Sequence, residues 1–356
     1  MWLNLLLLFV PVAFVLEYTH ANGTLIFVAS ALAILPLAGL MGRATEELAT
    51  RTGATIGGLL NATFGNATEL IIALFALRAG QIEVVKASII GSLLGNLLLV
   101  MGLSLLLGGL KYKVQRFNRG SATTIASLLT ISVIALLIPT IFNVSARATV
   151  GKAEALSLDI ALSDATAVVL ILLYAANIIF TLVTHRDHLA GEDEEGEAHT
   201  PKWSPAVAVG VLLGATVLVG FMSEFLVGSL ETATSALGLS EFFVGLILIP
   251  IIGNAAEHAA AVTFALKNKM DLSVGIALGS TVQVALLVAP LLVLAGLLFG
   301  QPMDLVVTPL ELVAVAAAVL IANSVVRDGE TNWLEGTLLL GVYAILAFAV
   351  FYFPAK

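Results

Sequence analysis

Two short segments of this sequence decide its fold. Gly65–Glu69 reads Gly-Asn-Ala-Thr-Glu, and Gly253–Glu257 reads Gly-Asn-Ala-Ala-Glu. A shift of 188 residues places the first on the second, and the match extends without a gap over 57–110 and 245–298, with 16 identities in 54 positions. Identities of Leu, Gly or Val prove little in a chain this apolar, so the polar matches carry the comparison. The chain therefore contains two copies of one sequence repeat.

Composition places these copies in a membrane. Of the 356 residues, 59% are apolar even without the 31 Gly, and only 11% are charged. Soluble globular proteins carry about 25% charged residues, so soluble enzymes and disordered proteins are excluded. The net charge of −8 disfavours a nucleic-acid partner. The chain has no Cys, which excludes disulfides and thiolate metal sites.

Apolar runs between charge clusters and Gly or Pro breaks predict about eleven transmembrane helices in an all-α polytopic membrane protein. Continuous apolar runs exclude a closed β-barrel, and the absence of a basic residue before Arg43 excludes a cleavable signal peptide. The predicted spans are 2–19, 23–42, 54–79, 83–110, 120–143, 161–184, 205–229, 237–266, 271–299, 304–326 and 333–353.

The repeat divides these spans into two halves of five. Residues 1–20 form an extra N-terminal helix, 21–184 hold spans 2–6, 185–204 form an acidic linker, and 205–356 hold spans 7–11. Five is an odd number, so the two halves must enter the membrane from opposite sides. Inverted repeats of this kind are typical of secondary transporters, whose binding site lies near the bilayer midplane.

The distribution of basic residues predicts the orientation. Eleven of the 16 Lys and Arg residues fall in loops that follow even-numbered spans, and Lys111–Arg119 alone holds four. The positive-inside rule predicts that these loops and the linker lie in the cytoplasm. The other expectation, an N-terminus outside, is incompatible with this placement, because an even number of spans separates the N-terminus from each of these loops. A prokaryotic cell membrane is the expected location. The acidic stretch His185–Lys202 is either a solvated linker or a low-affinity cation collector, and sequence alone favours the linker.

Glu69 and Glu257 are the principal candidates for chemistry. A carboxylate at the bilayer centre costs about 2.5–3.5 kcal/mol on insertion scales, so it usually faces a cavity or a partner. A protonated, purely structural Glu is the alternative reading. Gly65 and Gly253, each followed by Asn, predict a helix break beside each carboxylate, and Pro250 reinforces the second break.

Further polar residues share helix faces with these acids or lie in equivalent repeat positions. They are Asn66 and Asn254, three residues before each Glu; Ser92 and Asn96 in span 4; and Ser280 and Gln283 in span 9. The residues of spans 4 and 9 are either hydrogen-bonding links between helices or ligands. The whole set offers only hard oxygen ligands, which suits Ca²⁺ as a transported substrate. No resident cofactor is predicted.

Three other residues are candidates for proton transfer or for the ion route. His258 follows Glu257 but lies about 100° around the helix, so it is a possible proton relay rather than a ligand. Glu46 and Glu224 occupy similar Thr-Glu and Ser-Glu contexts near the C-terminal ends of spans 2 and 7. They are either ordinary interfacial charges or residues lining the ion's route.

The segments Gly65–Leu70 and Gly253–Ala259 resemble the paired signature repeats of the cation/proton exchanger family, within the Ca²⁺/cation antiporter superfamily. This resemblance covers nearly the whole chain. It implies that Glu69 and Glu257 bind Ca²⁺ and protons in turn. It also implies that five further residues surround the ion: Asn66, Asn254, Ser92, Ser280 and Gln283.

Secondary Ca²⁺/H⁺ antiport is therefore the leading prediction, with Ca²⁺, H⁺ and the lipid bilayer as partners. The alternatives are Na⁺/Ca²⁺ exchange and, from another class, a cation channel. An enzyme is not expected, because no second His follows Glu257-His258 at the spacing of a zinc-binding helix. The oligomeric state stays open.

Overall fold

The computed structural model describes residues 2–150, 152–184 and 201–353, and these residues are mainly helical. In the first half of the chain a 3₁₀ turn, Trp2–Leu8, leads into the first α-helix. The helices are α1 (Phe9–Tyr18), α2 (Gly23–Phe64), α3 (Ala67–Arg78), α4 (Ile82–Lys111), α5 (Arg119–Val150) and α6 (Lys152–Ile179), which continues as a π-helical turn at Phe180–Thr184.

The second half follows a similar order. Its helices are α7 (Pro205–Gly228), α8 (Leu230–Leu237), α9 (Glu241–Gly253), α10 (Ala255–Leu266), α11 (Met270–Phe299), α12 (Pro309–Val325) and α13 (Trp333–Phe351). A two-residue strand, β1 (Gln115–Arg116), pairs antiparallel with β2 (Glu330–Thr331). Most of the predicted acidic linker, residues 185–200, lies outside the described residues.

Helix α2 contains a sharp turn that separates two predicted spans. A Cβ atom added to Gly57 would lie 2.6 Å from the carbonyl oxygen of Ala49. Eight residues of straight helix would separate these positions by about 12 Å. The chain therefore reverses direction between these two residues, and the apolar segment Gly23–Thr52 precedes the reversal. The loop predicted between spans 2 and 3 is thus a bend within one helical hydrogen-bond pattern.

Each predicted span falls on helical structure, but the count of eleven stays a prediction. Within the described residues, seven helices are long and apolar enough to cross a membrane, or eight if α8 and α9, bent by 110°, form one span. Several predicted boundaries are wrong. Helices α5 and α6 extend toward each other as far as Val150 and Lys152, and Pro139, which lies inside α5, does not end that helix. The segment 301–308 is non-helical, and α12 begins only at Pro309 behind the N-cap Thr308.

The helices form two compact units, and each unit takes helices from both halves of the sequence. Of the described residues, unit 1 takes those within 1–85, 178–257 and 351–356, and unit 2 takes those within 86–177 and 258–350. In unit 1, α2 and α7 form the most extensively packed pair among the described helices. The ring of Phe14 in α1 packs on Phe225 of α7, with centroids 5.2 Å apart. The extra N-terminal helix therefore packs against this pair.

The contacts within unit 2 agree with the prediction that loops after even-numbered spans lie on one side of the membrane and loops after odd-numbered spans on the other. The loops after predicted spans 4, 8 and 10 lie together: the Phe117 amide donates to the Gly329 carbonyl at 3.0 Å, and the Asn118 amide donates to Asp271 at 2.5 Å. Lys86, at the opposite end of α4 from the first of these loops, pairs with Asp304 in the segment after α11 at 2.7 Å. Within this unit, loops that are predicted to lie on the same side of the membrane thus contact one another.

Candidate cation-binding site

The first signature segment forms a helix break, as predicted, but Asn66 is the residue that departs from helical geometry. Gly65 keeps helical angles, with φ −54° and ψ −48°, whereas Asn66 has φ −95° and ψ 12°. This bridge conformation is sparsely populated and recurs in active sites. Helix α3 begins at Ala67, which makes Glu69 the third residue of a new helix.

The second segment repeats this geometry. Asn254, with φ −104° and ψ 11°, separates α9 from α10, and Glu257 is the third residue of α10. The Asn254 amide N–H donates to the Pro250 carbonyl at 3.0 Å, and its side-chain Nδ2 donates to the same oxygen at 3.1 Å. The Pro250 carbonyl therefore accepts two hydrogen bonds from Asn254 at the break itself.

Proline enters α9 through a widened helical turn. Residues Val244–Leu248 form a π-helical turn, and Pro250 is the second residue of the α-helical segment Ile249–Gly253 that follows. Proline lacks the N–H that an α-helix interior requires, so it fits best in the first turn of a helical segment. The predicted contribution of Pro250 to the discontinuity of this span thus acts on its N-terminal side.

Both signature carboxylates lie where a helix favours negative charge. Unsatisfied N–H groups at a helix N-terminus carry roughly +0.5 of an elementary charge, and Glu69 and Glu257 each lie in a first turn. Glu69 is 1% exposed, and Asn66 and Asn254 are 2% and 1% exposed, while Glu257 is half-buried. The two breaks therefore lower the cost of placing carboxylates inside an apolar chain.

The second break packs directly against the first acid, and both belong to unit 1. A Cβ added to Gly253 would lie 3.2 Å from both Cα and Cβ of Glu69, closer than ordinary van der Waals contact. Gly253 is thus needed for close approach rather than for unusual backbone angles, because it remains helical. This contact brings the signature segments of the two repeats together.

The polar residues predicted in spans 4 and 9 belong to unit 2. Ser92, Asn96 and Ser280 are buried and Gln283 is half-buried. Asn96 Nδ2 donates to Ser280 Oγ at 3.1 Å, so one residue from each repeat forms a link between α4 and α11. This bond supports the reading of Asn96 and Ser280 as links between helices. Whether Ser92, Ser280 and Gln283 bind the ion stays a prediction.

Both α4 and α11 also contain a π-helical turn at the same repeat position. Gly95–Val100 and Val284–Val288 form these turns, and a shift of 188 residues superimposes them almost completely. Such turns are rare and occur frequently at functional sites. Sequence reasoning did not predict them, because no residue type marks a π-turn.

The remaining candidates differ in their surroundings. His258 is half-buried, and its Nε2 is buried without a hydrogen-bond partner among the described residues. Glu46 and Glu224 are exposed, so their side chains lie on helix faces that no other part of the described chain covers. The buried acid of that region is instead Glu47, whose Oε2 accepts the Trp203 amide at 3.0 Å. The relay and route roles stay predictions.

A second buried acid was also missed by the sequence reading. Asn143 of α5 donates to Asp159 of α6, and Asp159 is 2% exposed. The predicted spans ended at 143 and resumed at 161, which placed Asp159 in a loop. The sequence around Asp159 does not indicate burial, because the residue lies close to the predicted helix ends. Asp159 is buried because α5 and α6 are longer than predicted.

The composition of the site limits what it can hold. In the part of the chain that the structure describes, no three His, Asp or Glu side chains cluster in a way that could hold a metal ion. The signature segments offer two carboxylates and two Asn amides, all hard oxygen donors of the kind Ca²⁺ accepts. Such a donor set suits a cation that must also leave.

Broken helices with carboxylates at repeat-equivalent positions, in an apolar multi-helix chain, define a secondary transporter of the inverted-repeat class. Comparison with known proteins gives the family. Residues 22–183 and 207–352 match the sodium/calcium exchanger protein family. The chain belongs to this family and is a multi-pass membrane protein.

Relatives extend over almost the whole chain. A Ca²⁺/H⁺ antiporter of Aphanothece halophytica is 50% identical over 362 residues, covering 98% of this chain and 96% of the relative. The Ca²⁺/H⁺ antiporter ChaA of Bacillus subtilis is 47% identical over 348 residues, covering 96% of each. The solved structure of native YfkE matches with a TM-score of 0.84 and 41% identity, covering 99% of this chain and 100% of that one. The similarity thus includes both signature segments.

Proposed function

We propose that this chain exchanges Ca²⁺ for H⁺ across the membrane by alternating access, and that Glu69 and Glu257 bind Ca²⁺ or protons in turn. The observation that carries the proposal is the pair of first-turn carboxylates, one in each repeat, at breaks that pack together in unit 1. The names of relatives that align over nearly the whole chain support the choice of ions.

The chemistry follows from the cost of bare charge. Two carboxylates in a low-dielectric site carry two negative charges, and a buried charge without compensation is strongly unfavourable. One Ca²⁺ neutralises both carboxylates, and so does one proton on each. Ca²⁺ and protons therefore compete for Glu69 and Glu257, and bound protons prevent Ca²⁺ from binding to both carboxylates, as bound Ca²⁺ prevents their protonation.

Exchange follows if the empty, doubly charged state changes conformation slowly. Each load then stabilises the states that can reorient, and the return step requires the other ion. Inverted repeats supply two conformations of similar energy, because each half can adopt the shape of the other. Asn66 and Asn254 add amide oxygens beside the carboxylates. On the proposed orientation, with the basic loops in the cytoplasm, the imposed proton gradient sets the direction of Ca²⁺ movement.

Ca²⁺ uptake into proteoliposomes with an imposed pH gradient tests the proposal. We expect uptake against the Ca²⁺ gradient, abolished by a protonophore and unaffected by replacing K⁺ with Na⁺. Dependence on Na⁺ would instead indicate Na⁺/Ca²⁺ exchange. Flux that only follows the Ca²⁺ gradient would indicate a channel.

Substitution of the two acids assigns their role. An amide resembles a permanently protonated acid, so Glu69→Gln and Glu257→Gln should each abolish uptake. Glu231→Gln is the matched control, because Glu231 is an exposed first-turn acid of α8 in the same unit. Near-wild-type uptake by either signature variant, with normal protein yield, would refute the assignment.

A further inference from the structure

Seven basic residues lie in three loops of unit 2 that contact one another. They come from three loops that are far apart in sequence: Lys111, Lys113, Arg116, Arg119, Lys267, Lys269 and Arg327. Only three acids, Asp271, Asp328 and Glu330, accompany them in these loops. We call these ten residues the basic patch. Its net charge is strongly positive in a chain whose overall charge is −8.

Specific hydrogen bonds hold the three loops together. Gln115 Nε2 donates to the Ala265 carbonyl at 2.8 Å, which ties the first loop to the second. The Phe117 amide donates to the Gly329 carbonyl at 3.0 Å, which ties the first loop to the third. The pairing of β1 with β2 adds a short ribbon between the same two loops. The basic patch is therefore a built surface and not an accidental meeting of side chains.

The acids of the basic patch are largely engaged within it. Glu330 accepts from Arg116 Nε at 2.9 Å, and Asp271 accepts the Asn118 amide at 2.5 Å. By contrast, Lys113, Arg119 and Lys267 are exposed and form no ion pair with any described residue. Their charges are thus available to a negatively charged partner.

The basic patch lies at the ends of membrane helices. Lys111 is the last residue of α4 and Arg119 is the first of α5. Trp333, the first residue of α13, is 48% exposed, and its backbone packs against Gly109 next to the basic patch. Exposed Trp residues at helix ends typically mark the membrane–water interface. This neighbour places the basic patch at the depth of lipid headgroups.

We propose that the basic patch binds the headgroups of anionic phospholipids. Clusters of four to eight Lys or Arg beside transmembrane helices attract anionic lipid, each contributing about fivefold in affinity. The positive-inside rule explains why these loops are basic, but it needs no contact among them. Their assembly into one surface with free charges is explained by a common ligand. This inference is independent of the transported ions.

Quenching of Trp333 fluorescence tests the proposal directly. The chain has three Trp residues. The parent protein for this experiment therefore carries Trp2→Phe and Trp203→Phe, which leaves Trp333 as its single Trp. The protein is reconstituted in phosphatidylcholine vesicles that contain increasing fractions of brominated phosphatidylglycerol or of brominated phosphatidylcholine. We expect stronger quenching by the brominated anionic lipid at equal mole fraction, reduced by high salt.

Neutralising the basic patch provides the decisive variant. Lys113→Gln, Arg119→Gln and Lys267→Gln combined should weaken the preference for anionic lipid by on the order of 100-fold. Arg147→Gln is the matched control, since Arg147 is exposed at the opposite end of α5 in the same unit, and it should behave like the parent. Equal quenching by the two brominated lipids in the parent would overturn the proposal. So would a preference that survives the triple substitution.

Discussion

At the scale of single residues, the site depends on where each helix begins. A Glu in the middle of a membrane helix meets only apolar neighbours, whereas a Glu in a first turn faces unsatisfied N–H groups. The non-helical backbone of Asn66 and Asn254 creates such a first turn twice. The stabilisation by a helix N-terminus is about 0.3–1 kcal/mol at exposed sites and up to about 2 kcal/mol where partly buried. At its upper end this stabilisation offsets more than half of the about 2.5–3.5 kcal/mol that it costs to place a carboxylate in a membrane helix.

A methyl group at Gly253 should disturb Glu69 without unfolding the protein. In Gly253→Ala the new Cβ lies 3.2 Å from Cα and Cβ of Glu69, so the backbone of α3 must shift by a few tenths of an ångström. Overpacking of this kind costs about 1–3 kcal/mol, and we expect the apparent KM for Ca²⁺ to rise by roughly tenfold or more. Steady-state uptake in proteoliposomes measures it.

Gly214→Ala is the control for this substitution. Gly214 lies in α7 of the same unit, and a Cβ there would meet nothing within 4 Å. Alanine should stabilise that helix by up to about 1 kcal/mol and leave the KM unchanged. Equal KM values for the two variants would show that the close contact with Glu69 does not position the carboxylate.

At the scale of elements, α5 and α6 share a buried polar pair near their adjoining ends. Asn143 donates to one oxygen of Asp159, and the other oxygen, Oδ1, is buried with no partner among the described residues. Removing one member leaves the other buried without its hydrogen bond, which costs about 1–3 kcal/mol. We expect Asn143→Ala and Asp159→Ala each to lower the melting temperature.

The double variant distinguishes a specific pair from general loss of packing. If the two side chains stabilise each other, the combined loss is smaller than the sum of the two single losses by about 0.5–3 kcal/mol. Thermal unfolding of purified protein in detergent gives all four values of the cycle. Ser145→Ala, an exposed position on the same helix, serves as reference. Additive losses would contradict a coupled pair.

Local chemistry explains which elements could be predicted from sequence. The Gly-Asn breaks were predictable, because Asn competes for backbone hydrogen bonds and Gly weakens a helix wherever they occur. Apolar runs located the helices for the same reason. The π-turn Gly95–Val100 and the pairing of β1 with β2 were not predictable, since both depend on neighbours distant in sequence.

Burial of acids was likewise beyond the sequence pattern. Glu46 and Glu47 are adjacent, and the repeat match drew attention to Glu46, yet Glu47 is the one buried against the Trp203 amide. Which of two neighbouring acids faces inward depends on the rotation of α2 against its partners. The pattern of apolar and polar residues within α2 alone does not fix that rotation, because most of its positions are apolar.

At the scale of the whole molecule, the contacts between loops make the topology testable. The chain has no Cys, so single cysteines can be introduced without further substitution. Asn118→Cys and Lys267→Cys should react with an impermeant maleimide from the same side, because their loops contact one another. Ala79→Cys and Pro302→Cys, both exposed, should react from the opposite side.

The side itself is assigned by comparing intact cells with inverted vesicles. The positive-inside rule predicts that Asn118→Cys and Lys267→Cys react only in inverted vesicles. Reaction of these two variants from opposite sides would contradict the proposed arrangement of spans. Reaction of all four from one side would contradict it as well.

Competition between the two loads gives the most general test of the transport cycle. If Ca²⁺ and protons share Glu69 and Glu257, acidifying the side from which Ca²⁺ loads should raise the apparent KM for Ca²⁺ and leave the maximal rate unchanged. Each tenfold rise in proton concentration raises it at most about tenfold per competing proton. Acidifying the opposite side should instead accelerate uptake, because protons there complete the return step. Initial rates measured with the two pH values varied independently separate these effects. A fall in maximal rate at constant KM on loading-side acidification would mean that protons act elsewhere than on the carboxylates that hold Ca²⁺.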